Sequence, residues 1–465
     1  MRSQAIHQFH ASSTYGDGIT NGMFFIQTIL RDSGYHSEIF CRNVEPRFVG
    51  RIRPIDSYPD LADDLLLVHY SMGTPQEAWI ENQKSPRVLV YHNITPAQFF
   101  PDGSKLQGFA QSGRARLAAW AKQRLFAGAI ADSAFNAAEL LASGYSSVAA
   151  IPLLVDLDRI RQAPWNRELS KRLLGARNLL FVGRLSENKG QLDLIKMLAQ
   201  LTNMCATPVR LILVGDTTSP DYEKVVVKEI ERRGLSDRVL MLGKCDDRDI
   251  YALYRCCDLY CSMSQHEGFG MPLVEAMAFD LPVLASDAGA VAATLASGGL
   301  VLENRDPDSF AGTARLLLEE PWLRREVILG QRRALGQYER SLLVGELQDH
   351  LGRIGFDVNL AKSPGISSQR AGKWSIEGPF DSSYSLSLVN RELARGLSRA
   401  GETVALISRD GPGPFEPNQK LLAKDAEVRD MWRAGKAGDV IDVNLRNQYP
   451  PFVADMHGAV RVLAI

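Results

Sequence analysis

No apolar run in this 465-residue chain is long enough to span a bilayer, so the sequence does not ask for a membrane-embedded fold. Charge of one sign is also lacking. A formal net charge of −1 and a pI near 6.7 offer no electrostatic footprint for nucleic acid, and none is expected as a partner. The six cysteines, at 41, 205, 245, 256, 257 and 261, form no Cys-x-x-Cys pair and have no His at zinc spacing, so they read as reduced thiols. No Asp-x-Asp clasp stands at a strand end; Asp246-Asp247 reads instead as the cap of a helix over 249–257, and no metal site is expected. The opening residues, Met1-Arg2-Ser3-Gln4-Ala5-Ile6-His7, lack the basic start, apolar stretch and cleavage site of a secretory leader. A cytoplasmic location is the expectation.

What is present is most concentrated at His266-Glu267-Gly268-Phe269-Gly270-Met271-Pro272-Leu273-Val274-Glu275-Ala276-Met277-Ala278. Two carboxylates stand eight positions apart across a glycine turn and into a helix that Pro272 can begin. Glycines let backbone approach a ligand closely, and free N–H groups at the positive end of a helix suit a diphosphate. Glu275, in the first turn, could then bond ribose hydroxyls, while Glu267, ahead of the turn, faces the sugar. Two Glu at this spacing alone fit a solvated helix face equally well; the whole segment fits a nucleotide-sugar site better.

Short apolar runs alternate with helical patterns from residue 1 to about 156, the rhythm of a parallel sheet crossed over by helices. Leu65-Leu66-Leu67-Val68-His69 and Arg87-Val88-Leu89-Val90-Tyr91 read as buried strands, and a helix over 18–30 follows the turn Tyr15-Gly16-Asp17-Gly18. A linker over roughly 157–177 precedes a second alternating series, which forms a domain over 172–335. A helix near 336–355 is expected to return to the first domain. After a linker over 356–371, residues 372–465 repeat the first half: a strand begins at Trp374, a helix runs from Leu386 to Leu397, Val440 to Leu445 stands for the strand at 65, and Arg461 to Ile465 echoes 87–91. This third piece reads as a partial Rossmann-like domain.

Val182-Gly183-Arg184-Leu185-Ser186-Glu187-Asn188-Lys189-Gly190, Leu213-Val214-Gly215-Asp216 and the 267–275 segment, in that order and spacing, resemble the retaining glycosyltransferases of family 4, whose mark is a Glu-x7-Glu motif. The resemblance covers residues 1 to about 355 as one unit and is nearest to bacterial polysaccharide transferases that carry two such units in tandem. It implies an α/β chain of GT-B fold, with two facing Rossmann-like domains and a deep cleft. The first domain would dock the acceptor and the second would hold a nucleoside diphosphate sugar.

Carried over by the resemblance, Arg184 and Lys189 would neutralise the donor diphosphate, a role that a guanidinium fork and an ammonium suit on their own chemistry. The N–H groups of Phe269, Gly270 and Met271 would complete the cradle, Glu275 would hold the ribose, and Lys244 would lie near the base. His92 and Glu267 are the catalytic candidates, His92 bonding sugar hydroxyls and Glu267 stabilising charge at the anomeric carbon. His69 is comparably placed to His92. The Gly16-Asp17-Gly18 loop could reach phosphate or acceptor, though many relatives carry Gly-Gly there, and a plain tight turn fits as well.

The implied activity is metal-independent transfer of a hexosyl group, mannosyl from a guanosine donor leading, to a glycan or lipid-linked glycan with retention of configuration. No cofactor beyond the donor is implied. Two other readings remain open: a noncatalytic subunit of a glycan-synthesis complex, and a nucleotide-sugar epimerase of the same fold. The tail, without a donor half, is not expected to work as a transferase. A basic amphipathic helix over Lys105–Phe126, with Arg114, Arg116, Lys122 and Arg124, could rest peripherally on an anionic membrane, or be a helix with one packed and one solvated face.

Overall fold

The computed structural model describes residues 5–153, 156–217, 219–360, 373–381, 385–399, 402–410, 413–436, 443–447 and 460–464. Among them, Leu65-Leu66-Leu67-Val68-His69-Tyr70 is buried along its whole length. A strand apolar on both faces needs cover on both, and parallel sheets wrapped by helices supply it.

The first sheet contains β1 (Ile6–Ser12), β2 (Ile39–Asn43), β3 (Arg53–Pro54), β4 (Leu65–Tyr70), β5 (Arg87–Tyr91), β6 (Gly128–Ala131) and β7 (Val148–Ala150). All pairings are parallel and the order is β3-β2-β1-β4-β5-β6-β7. The order reverses between β1 and β4, which opens a crevice at their carboxyl ends. One face packs on the helix Lys105–Gln123 through Leu117 and Trp120. The other packs on the helix Gly18–Asp32 and on a second helix from far downstream, Arg340–Arg353, whose Leu343, Val344, Leu347 and Leu351 join Ile6, Leu65 and Val88 in one core. The chain therefore leaves the first lobe, builds the second, and comes back.

The second sheet holds β8 (Arg177–Val182), β9 (Val209–Val214), β10 (Val239–Gly243), β11 (Leu259–Ser262), β12 (Val283–Ser286) and β13 (Leu300–Leu302), in the order β10-β9-β8-β11-β12-β13. Three of its helices start where side chains close the free N–H groups: Ser219 caps Pro220–Arg232, Asp246 caps Asp247–Cys256, and Asp306 caps Pro307–Glu319. The helix expected over 249–257 thus begins two residues earlier. The stretch expected as a linker, 157–177, contains two short helices, Leu157–Gln162 and Arg167–Arg172. Asp156 and Asn166 supply their caps, which the high count of polar residues conceals.

The first 365 residues form one compact unit and the remainder forms another. The second unit has β14 (Lys373–Gly378), β15 (Thr403–Asp410), β16 (Gly413–Pro414), β17 (Val443–Asn447) and β18 (Val460–Ala464), ordered β16-β15-β14-β17-β18. Ile376, Phe380, Ala394, Leu406, Val428 and Met431 form its core. Of the expected strand Val440–Leu445, residues 440–442 lie outside the described residues, and the described strand is Val443–Asn447. Buried Glu377 accepts from Arg446 Nε at 2.7 Å, and Ser375 Oγ accepts from Asn444 Nδ2 at 2.7 Å, which pins this register. In the first sheet Leu66 pairs with Arg87, and here Asn444 pairs with Arg461. Matching the two arginines puts Asn447, not Asn444, at the position of His69. Of the linker expected over 356–371, residues 361–371 lie outside the described residues, as does Ile465, while Val358 and Leu360 are buried in the core of the first lobe.

Candidate active site

The carboxyl ends of the two sheets face each other, and the segment after β11 lies between them. The helix there runs Met271–Ala278 with Pro272 in its first turn, so Glu275 is its fifth residue and sits in the second turn rather than the first. Among the described residues no hydrogen bond leaves the N–H of Phe269, Gly270 or Met271, while Leu273 already donates to Gly270. Three donors at the positive end of a helix are therefore available to an anion.

Lys189 approaches this turn from β8. Its Nζ is 2.6 Å from Glu267 Oε1, with both side chains about 16% exposed. The approach depends on Gly190, at φ +71°, where a Cβ would stand 2.1 Å from the carbonyl oxygen of Met263. Arg184 lies exposed in the same β8 loop and has no ion pair among the described residues. Glu275 accepts from Tyr254 Oη at 2.7 Å. Burial raises its carboxyl from 4.5 to about 7, with the Asp247 carboxylate adding to the rise against the tyrosine bond. Lys244 is exposed just beyond β10. Gly243, Gly183, Gly215 and Asp216 line a cavity of about 340 Å³ at the ends of β8, β9 and β10.

From the first lobe, the Gly16-Asp17-Gly18 turn faces the same helix: a Cβ on Gly18 would meet the Met271 side chain at 2.7 Å. The Asp17 carboxylate is occupied as a cap, accepting from Thr20 N at 3.1 Å and Thr20 Oγ1 at 3.2 Å. His92 follows β5, but its ring is buried and both nitrogens are bonded. Nδ1 lies 2.8 Å from Asp132 Oδ2 and Nε2 lies 2.8 Å from His69 Nδ1. A sugar hydroxyl would reach Nε2 only by displacing His69.

Several residues of this junction escape sequence reading. Asn93, at φ +66°, donates to Asn136 Oδ1 at 2.9 Å and Glu139 Oε2 at 2.8 Å, and accepts from His266 Nε2 of the other lobe at 2.7 Å. Ser133 Oγ donates to the Gly268 carbonyl at 2.9 Å. A Cβ on Gly268 would stand 2.4 Å from the Asn93 Cβ, so glycine is required where the lobes touch. An asparagine after a buried strand is a position where left-handed backbone is tolerated, and that was the one available signal. Asp132 and Ser133, at the end of β6, carried none.

Residues 167–340 match the family model described as glycosyl transferases group 1. The chain is 30% identical over 206 residues to a phosphatidyl-myo-inositol mannosyltransferase of Mycobacterium leprae, covering 43% of this chain and 52% of that one. It is 29% identical over 226 residues to a lipopolysaccharide core biosynthesis mannosyltransferase of Rhizobium meliloti, covering 46% and 62%. The chain thus spans about half the length of the curated relatives it matches. Among solved structures, Anabaena Alr3699/HepE in complex with UDP and glucose superposes with a TM-score of 0.60 at 20% identity, over 75% of this chain and 100% of that chain. The fold is GT-B.

In a GT-B chain the cleft between lobes is where open α/β sheets offer their carboxyl ends to ligands, and Arg184, Lys189, Glu267, Glu275 and the three free N–H groups all belong to the lobe that carries the family match. The basic helix is shorter than expected, Lys105–Gln123, because Arg124 takes a left-handed conformation at its end. Two of its arginines turn inward. Arg114 donates to Glu139 at 3.0 Å, bracing the carboxylate that holds Asn93, and Arg116 pairs with Glu77 and Glu81, each at 3.0 Å. No helix among the described residues is long and apolar enough to cross a membrane.

Proposed function

We propose that the chain is a retaining glycosyltransferase of family 4 that moves a hexosyl group, with mannosyl leading, from a nucleoside diphosphate sugar to a hydroxyl of a glycan or lipid-linked glycan. The observation that carries this reading is the convergence of three undonated N–H groups, Lys189 and Glu267 at one turn. Two mannosyltransferases among the relatives favour mannose.

The diphosphate would rest on the N–H groups of Phe269, Gly270 and Met271, with Lys189 and Arg184 offsetting its charge. Glu275 would hold the ribose, and the base would enter the cavity beside Gly243 and Lys244. The bond between the anomeric carbon and the phosphate oxygen breaks, its electron pair leaving with the diphosphate. The acceptor oxygen then bonds to the same face, and its proton passes to the departing phosphate oxygen. Glu267, freed from Lys189 as the phosphate arrives, would face the positive charge that builds on the sugar. His92, its two ring nitrogens taken by Asp132 and His69, would border that sugar from the cleft floor without bonding its hydroxyls, and the 16–18 turn would meet the acceptor.

Cations of the chain itself take the place of a divalent ion, so activity should persist in a chelator. Loss of activity in EDTA with recovery on adding magnesium would refute this. A screen of nucleotide sugars by calorimetry, followed by NMR of the product anomeric proton, tests the rest. Inversion would sink the mechanism, and sugar interconversion with donor alone would mark an epimerase. We place the protein in the cytoplasm, with Leu106 and Phe109, exposed beside Lys105, making peripheral contact with anionic lipid. Flotation with anionic liposomes at low salt should carry it upward.

A further inference from the structure

Four side chains form one hydrogen-bonded line beneath the cleft. Gln8 Nε2 donates to the Met23 carbonyl at 2.9 Å, which commits the amide nitrogen and turns Oε1 towards His69. His69 Nε2 lies 3.1 Å from that Oε1 and can only donate to it. Burial, with His92 and His10 nearby, holds His69 well below the usual histidine range, so it is neutral and carries one proton. Its Nδ1 is then a lone pair, and the partner 2.8 Å away, His92 Nε2, must be the donor. The two rings are inclined by only 6° with centroids 5.0 Å apart. At that N···N distance they meet edge to edge as a hydrogen-bonded pair rather than face to face. The last contact, His92 Nδ1 to Asp132 Oδ2 at 2.8 Å, also needs a proton between its atoms.

We infer that His69 is a positioning residue that, oriented by Gln8, keeps both ring protons on His92 and so holds an imidazolium paired with the Asp132 carboxylate beneath the Glu267-Gly268 turn. Without an acceptor at His69 Nδ1, His92 would need only the proton it shares with Asp132, and the pair would be one unit more negative. The titratable and charged groups facing the ring are His69 on β4, His10 on β1, Asp132 after β6 and, through His10, Asp17 at the start of the helix Gly18–Asp32. The extra proton spares the departing diphosphate a like charge in the floor of its site. This deepens the proposed function and rests on it for its catalytic consequence, but not for the proton count.

The test is 15N NMR of the full chain labelled at histidine, at pH 7.5, with His92→Gln used to assign the signals. The wild type should show protonated-nitrogen shifts at both ring nitrogens of His92 and at only one of His69. His69→Asn keeps an acceptor near the Nδ1 position and should retain the His92 imidazolium and turnover. His69→Phe removes the acceptor and should abolish the imidazolium signal, lowering kcat roughly tenfold, as for loss of one charge-assisted bond, with donor KM within about twofold. Should the phenylalanine variant not fold, Gln8→Leu releases the His69 tautomer and should weaken the same signal. A neutral His92 in the wild type, or an imidazolium untouched in His69→Phe, overturns the assignment. If the wild type turns over no nucleotide sugar while its spectrum shows the imidazolium, the proposed function fails and the proton inventory stands.

Discussion

Lys189 Nζ sits 2.6 Å from Glu267 Oε1, so a cation suited to a phosphate and a carboxylate suited to a sugar offset each other's charge. On the proposed function a donor would separate them, offering its diphosphate to the lysine and its sugar to the glutamate.

Lys189→Ala should therefore weaken binding of the preferred donor by about 10–100-fold, the worth of one charge-assisted bond. Glu267→Gln should leave donor affinity within about threefold, because it also frees the lysine, while reducing turnover far more. Calorimetry and steady-state rates on the two variants separate these outcomes; equal loss of affinity in both would contradict them.

Glu275 gives a stability signature. Its carboxyl titrates near 7 in the folded chain against an ordinary value of 4.5, so the native state holds its proton more tightly than the unfolded state. The associated stability is complete below about pH 4.5 and fades as pH rises through 7, by up to about 3 kcal/mol. Urea unfolding between pH 5 and 8 should show this decline in the wild type and a flatter profile in Glu275→Gln.

Gly268→Ala would set a Cβ 2.4 Å from that of Asn93, on a contact that joins the lobes. Overpacking of this kind costs about 1–3 kcal/mol. The lobes are expected to part to accommodate it, with a larger radius of gyration by small-angle scattering and little turnover. Gly108→Ala, with nothing within 4 Å of its Cβ, is the control and should change neither.

In the second unit Arg446 and Glu377 are both buried and bonded to each other. Arg446→Met alone strands a carboxylate and should destabilise this unit by about 3–5 kcal/mol, whereas Arg446→Met with Glu377→Leu should recover most of the loss. Hydrogen exchange at the β14 and β17 amides reads the effect locally.

Much of this architecture was legible because it rests on local rules. Runs such as Leu65–Tyr70 need cover on both faces, and Asp306-Pro307 announces a helix whatever surrounds it. The turn and helix start at 267–275 were legible because the glycines and Pro272 act locally, whereas Glu275 falls one turn further along than its spacing suggested. What escaped depends on partners far apart in sequence. Nothing near Asp132 says that His92 will meet it, and nothing near Asn93 says that His266 will. The register of β17 has the same origin, since it is pinned by Glu377 and Ser375 on another strand. The basic helix misled for a related reason: Arg114 and Arg116 look solvated until Glu139, Glu77 and Glu81 are seen to take them.

The return of Arg340–Arg353 to the first sheet has a practical consequence for anyone dissecting the protein. A fragment ending near residue 153 would lose Leu343, Val344, Leu347 and Leu351 and bare the apolar face around Ile6, Leu65 and Val88 to water. Chimaeras that exchange the second lobe should therefore splice the segment 167–335 into an otherwise intact parent, as a cassette with two junctions, rather than join two halves at one.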